Sequence, residues 1–204
     1  IVRELAGAKA ENLTPEGFEA EFMKHQETSR AGREKKFGGH GLLLNTGELK
    51  AGDQTELEKV TRLHTATHLL NTALHRVLGD TVEQRGSDIT VDRARFDFRF
   101  GRKLEASELK EIENIVNGAI EEDLPVKFEE MDLDAAKQSG ALYFYKGHYP
   151  PRVKVYTIGR EGEIFSRELC GGPHVSRTGE IGRFRITKEE SSSAGVRRIR
   201  ATVE

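Results

Sequence analysis

Five residues of this chain could do metal chemistry by type and spacing. His64-Thr-Ala-Thr-His68 places two imidazoles four residues apart. On a helix, residues at that spacing lie one above the other on one face, so both rings can reach one ion. About a hundred residues later, Cys170-Gly-Gly-Pro-His174 offers a thiol and a third imidazole across a tight glycine–proline turn. Thiolate and imidazole together suit zinc, and three histidines with one cysteine make an acceptable tetrahedral set. Each pair alone is weak evidence. Two histidines on a helix are often only packing, and a lone cysteine is usually a small buried hydrophobe. Four protein ligands suggest a closed structural site, unless one ligand yields to water or substrate. The fifth residue, His75, lies two turns beyond His68 and reads as packing.

The bulk composition limits the alternatives. Of 204 residues, 36% are hydrophobic and 32% charged, with a formal net charge of -2. That describes a well-solvated protein and argues against a generally basic nucleic-acid coat, though not against a local basic patch. Cys170 is the single cysteine, which excludes an intramolecular disulfide and fits a reducing, cytoplasmic setting. No apolar run approaches the roughly 18 residues of a transmembrane span, so no membrane partner is expected. The first residue is Ile1, in what reads as the middle of an element, and a piece of a longer protein is expected.

The elements that must position the ligands follow from periodicity. Thr14-Pro15-Glu16 starts a helix that becomes strongly charged towards Lys36, and Gly38-Gly39-His40-Gly41 breaks it. Residues 1–52 are therefore expected to be a helical linker and residues 53–204 the metal-binding domain. The spacing of Leu57, Val60, Leu63, Leu70, Leu74 and Val77 predicts a long central helix from Asp53 to Leu78, ended by Gly79-Asp80. Val82 to Val91 reads as a hairpin around Arg85-Gly86-Ser87. Phe96, Phe98 and Phe100 alternate on the clearest strand. A second amphipathic helix is predicted over 105–122, with Leu109, Ile112, Ile115, Val116 and Ile120 inward. Strands follow at 125–131, 153–158, 163–169, 183–187 and 196–203, with a short helix at 133–138 and a small polar loop at Ser191-Ser-Ser193. Strands and helices mix without a strict βαβα repeat. The fold class is α+β, a mixed or antiparallel sheet packed with the long central helix.

Beyond the ligands, Gln84 with Gly86-Ser87, Arg95-Phe-Asp-Phe98, Thr178-Gly-Glu-Ile-Gly182 and Ser193-Ala-Gly-Val-Arg-Arg-Ile199 occur in order with the two ligand pairs. Together these motifs resemble the editing domain of alanyl-tRNA synthetase over roughly residues 55–203. They are also similar to freestanding alanyl-tRNA editing proteins and, more distantly, to the threonyl-tRNA synthetase editing domain. The resemblance implies the threonyl/alanyl second-additional-domain fold. It also implies Zn2+ held by His64, His68, Cys170 and His174, and hydrolysis of serine or glycine from mischarged tRNA(Ala). Thr67 and Gln84 map to pocket residues near the amino acid or the terminal ribose. Arg197 and Arg198 are candidate tRNA contacts, of which strand alternation lets only one reach RNA, and Arg93, Arg95, Arg99 and Arg102 form another basic cluster. The catalytic part of a synthetase would be a partner in cis. No carboxylate base stands out, and Asp97 reads as structural. Pro173 stands where the alanyl type usually has threonine and the threonyl type has proline, which keeps Ser-tRNA(Thr) editing as an alternative. Lys146-Gly-His148-Tyr149 also departs from the Gly-Glu-Lys-Tyr run of many members. An alternative of another class is a non-catalytic, zinc-stabilised tRNA-binding module.

Overall fold

The computed structural model describes residues 53–144 and 149–204. The expected linker over 1–52 and the departure at 146–148 lie outside the described residues.

The central helix, α1, spans Gln54–Leu78. Asp53 caps it, its carboxylate accepting the Glu56 N–H at 2.9 Å. Gly79, at φ 84°, ends it in a conformation that favours glycine. The spacing predicted one apolar stripe. Instead, every residue from Leu63 to Leu74 is buried, polar positions included. A helix buried all round needs walls on all sides, and two sheets and a second helix supply them.

The first sheet comprises β1 (Glu83–Ile89), β2 (Ala94–Arg99), β6 (Phe184–Ser193) and β7 (Val196–Val203), in the antiparallel order β1-β2-β7-β6. Residues paired across strands share a face. Phe96 faces Ile199 and Ala94 faces Ala201, and all four are buried. This inner face packs on α1 and on α2 (Ala106–Glu121). Ile112, Val116 and Ile120 of α2 are buried as predicted, with Leu109 and Ile115 partly so. The second sheet is β3 (Val126–Asp132), β4 (Arg152–Arg160) and β5 (Glu163–Leu169), also antiparallel, with the short helix α3 (Leu133–Gln138) over its far face. The fold is thus α+β, as expected.

Two local readings are corrected. Residues 82–91 are not a hairpin about Gly86. They form one strand with a register irregularity between Gln84 and Gly86, and the chain reverses at Thr90–Arg93, where Thr90 N–H donates to Arg93 O. Gly86 follows a bulge in the strand rather than making a turn. Ser191–Ser193 is not a loop but the end of β6, paired to Arg197 and Val196. Backbone pairing overrides the weak strand preference of serine.

The Thr178–Gly182 motif is an anchor. It forms a short 3₁₀ turn (Thr178–Ile181), and the buried Thr178 hydroxyl donates to Ala119 O and accepts from Leu124 N–H. Arg62 of α1 reaches over to donate to Ile181 O at 2.7 Å. Gly182 has φ 81°, and a Cβ there would lie 2.1 Å from Glu204 O, so only glycine fits.

The start of β7 adds an internal ion pair. Arg197 lies opposite Phe98 and so on the inner face, where its Nε donates at 2.5 Å to Glu189, whose side chain is only 2% exposed. Removing one partner of a buried pair strands the other charge. Arg197→Ala is expected to cost about 3 kcal/mol of unfolding free energy in denaturant titration. Breaking the exposed Arg102–Glu108 pair should barely move the midpoint.

Candidate metal centre

Ligand atoms of His64, His68, Cys170 and His174 all lie within 4.8 Å of one another. The first pair comes from the middle of α1 and the second from the loop after β5. Three imidazole rings pack together, with centroids 4.2 to 5.2 Å apart. Cys170 Sγ sits 3.2 Å from His64 Nε2.

Hydrogen bonding sets the tautomers. His64 Nδ1 is 2.9 Å from Pro173 O, which can only accept, so Nδ1 carries the proton and Nε2 the lone pair. The Thr65 hydroxyl donates to Thr61 O at 3.1 Å. Its oxygen must then accept from Val175 N–H and from His174 Nδ1, each at 3.2 Å. This leaves the His174 lone pair on Nε2. His68 Nδ1 lies 3.6 Å from Glu168 Oε2 and makes no hydrogen bond, although it is buried. Burial and the neighbouring His64 hold the His68 pKa well below its usual value, so its ring is a neutral donor.

Glu168 is the functional residue that sequence reading missed. It is 7% exposed and accepts from Asn71 Nδ2 at 3.0 Å, while its other oxygen faces His68. Burial raises its pKa to about 8, against the Asn71 hydrogen bond. A carboxylate behind a ligating imidazole fixes ring orientation and raises ligand basicity. The available signal was its position two residues before Cys170, on the same strand face as Tyr156, its pairing partner.

The donor set fits a metal. Three imidazoles and one sulfur converge, and one buried ring nitrogen faces a carboxyl group without a hydrogen bond. Burial pushes the Cys170 thiol up to about 12. A coordinating cation would invert that preference, since a ligating thiol is deprotonated outright. Gly172 makes the approach possible, because a Cβ there would fall 2.0 Å from His64 Cε1 and 2.6 Å from Nδ1.

The other predicted residues are placed as follows. Thr67 is buried on α1, its hydroxyl donating to Leu63 O at 2.8 Å. Gln84 lies opposite Phe98 on the inner face of the first sheet, with Nε2 3.3 Å from Ser87 Oγ. Arg198 lies on the outer face, where its guanidinium grips Asp97 at 2.7 and 2.8 Å. Arg197 is held by Glu189. The expected opposition of the two arginines is observed, and both guanidinium groups are engaged within the fold. Arg93, Arg95, Arg99 and Arg102 each face a carboxylate of the chain, on Asp88, Asp97, Glu83 and Glu108. No helix among the described residues is long and apolar enough to cross a membrane.

Comparison with known proteins agrees with this geometry. Residues 153–200 match the family described as Threonyl and Alanyl tRNA synthetase second additional domain, a span holding Cys170, His174 and most of the last two strands. Over its whole length the chain is 48% identical to an alanine–tRNA ligase of Treponema denticola and 47% identical to that of Treponema pallidum. It is 46% identical over 201 residues to that of Borrelia garinii subsp. bavariensis. The chain is a region of the alanyl-tRNA synthetase editing-domain type. It spans 31% of the length of these relatives. For an editing-domain-type region, the similarity covers both halves of the ligand set, because the whole-chain matches include α1.

Coordination requires loss of the Cys170 proton. With the thiol near 12, each unit of rising pH through neutrality multiplies the thiolate fraction tenfold. Competition with a chelator at pH 6, 7 and 8 should show Zn2+ binding at least about tenfold tighter per unit. Affinity independent of pH would remove Cys170 from the ligand set. Gly172→Ala should weaken Zn2+ in the same assay by displacing the His64 ring.

Proposed function

We propose that this chain hydrolyses the ester joining a wrong amino acid, serine or glycine, to tRNA(Ala), as the editing part of an alanyl-tRNA synthetase. The observation that carries the reading is the convergent His64–His68–Cys170–His174 cluster, its helix pair buried and its loop pair half-buried, backed by Glu168 and Asn71, in a chain similar throughout to alanine–tRNA ligases. The soft donor set selects Zn2+, which when bound supplies Lewis-acid polarisation of a water or carbonyl oxygen.

The chain's own residues do the rest. Glu168 stands beside the His68 ring, its Oε2 3.6 Å from Nδ1. Because Thr67 spends its proton on Leu63 O, its oxygen presents acceptor lone pairs. Those lone pairs suit the hydroxyl of serine, which alanine lacks. An apolar synthetic pocket rejects an added hydroxyl weakly, and it cannot exclude the smaller glycine, so a second, polar site is needed to remove both. Gln84 stands on the sheet face towards the core and serves the amino acid or terminal ribose. An aminoacyl ester is already activated, so positioning supplies much of the acceleration. The partner is tRNA(Ala) in a cytoplasmic setting, with the catalytic part of the synthetase in cis.

Two observations favour a second reading. Four protein ligands make a closed set, and the Thr67 hydroxyl has an internal partner. Both suit a zinc-stabilised tRNA-binding module without catalysis. Ester loss separates the two. Zn2+-loaded protein should release serine and glycine from tRNA(Ala) and spare alanine, and Cys170→Ala should abolish release. Loss of no ester would overturn the deacylase reading, and preference for Ser-tRNA(Thr) would reassign it to the threonyl type. Thr67→Val keeps volume but removes the acceptor. It should slow serine release about tenfold with an unchanged melting temperature.

A further inference from the structure

The second sheet carries an aromatic residue that the fold does not use for packing. Phe128 of β3 is 49% exposed, although most of its strand neighbours are charged and equally accessible. It pairs with Tyr156 on β4, and the two rings lie 5.3 Å apart. Tyr156 is buried, and its ring centroid is 4.1 Å from that of His174. Phe128, Tyr156 and His174 thus form a continuous row of rings, from the surface to the metal centre. Lys154, two residues before Tyr156 on the same face, holds its Nζ 4.5 Å from the Phe128 ring centroid. Its ammonium also lies 3.9 Å from Glu130, and both of those side chains are well solvated.

A single exposed ring is ordinary on a protein surface; what sets Phe128 apart is the row of rings running to the metal centre and the cation beside it, and that chemistry selects a ligand. A ring beside a movable cation matches an unpaired base with its phosphate: the base stacks, and the ammonium transfers from ring to phosphate. The proposed function supplies such a ligand at this distance. The ester sits on the terminal ribose of a single-stranded RNA end, so a base must lie within one nucleoside of the reacting carbon. Two ring contacts separate Phe128 from a metal ligand, which is the reach of one nucleoside.

We infer that Phe128 and Lys154 seat a base and phosphate of the single-stranded tRNA end while its ester is presented to the metal centre. This rests on the deacylase reading, but its test does not depend on it alone. Two measurements on the Zn2+-loaded chain are compared: KM and kcat for Ser-tRNA(Ala), and titration with the trinucleotide CCA. Phe128→Ala should weaken the trinucleotide and raise KM about tenfold, with kcat little changed. Phe128→Tyr should restore both, whereas Phe128→Leu, which keeps apolar bulk but no π-face, should not. Lys154→Gln should flatten the salt dependence of trinucleotide binding by about one phosphate contact. Unchanged trinucleotide affinity and KM in Phe128→Ala, or no trinucleotide binding by the wild type, would overturn the inference and leave the deacylase reading standing. If the wild type releases no serine, that reading fails, and the trinucleotide comparison still decides this one.

Discussion

The structure depends on one constraint: α1 is buried on every side yet carries six polar residues between Leu63 and Leu74. Each buried polar group must find a partner or cost free energy. Three of the six do so through contacts that tie the helix to its walls, and Thr67 bonds within the helix to Leu63 O. His64 bonds Pro173 O, Thr65 bonds Thr61 O and Val175 N–H, and Asn71 bonds Glu168. His68 Nδ1 is left facing a carboxylate at 3.6 Å. A metal would complete this arrangement by joining two ligands of the helix to two of the loop. The same contact would close the central helix against the second sheet. Site and core are therefore not separable: the walls that keep α1 dry also hold the His68 pKa down.

Much of this was legible in the sequence, where periodicity and metal chemistry are strong signals. The bounds of α1 and α2, and the alternation of Phe96 and Phe98, follow from spacing alone. The pairing of His64 and His68 with Cys170 and His174 follows from donor chemistry together with the family resemblance. What stayed hidden depends on partners distant in sequence. Glu168 reads as an ordinary charged strand residue until β5 is seen packed on α1 beside His68 and Asn71. The burial of Thr65, Asn71 and Thr72 on α1 shows only once two sheets enclose the helix. Gly86 reads as a turn because a bulge exists only relative to its partner strand.

The family motifs divide by physical task. His64, His68, Cys170 and His174 carry donor chemistry. Gly172 and Gly182 exist for close approach, the first to the His64 ring and the second to Glu204 O. Thr178 ties the end of α2 to the 3₁₀ turn. Arg198 and Arg197 spend their charge on Asp97 and Glu189, holding the first sheet together across strands. A motif can therefore mark a function while most of its residues build the frame. Here the frame fixes the angle at which the Cys170–His174 loop meets α1.

The central claim is that these four side chains hold one zinc ion in a dry, preformed site. X-ray absorption at the zinc edge of the loaded chain reads the donor set directly. The account predicts one sulfur at about 2.3 Å and nitrogen or oxygen scatterers at about 2.0–2.1 Å with imidazole character. A spectrum without the sulfur shell, or an octahedral all-oxygen shell, would contradict it.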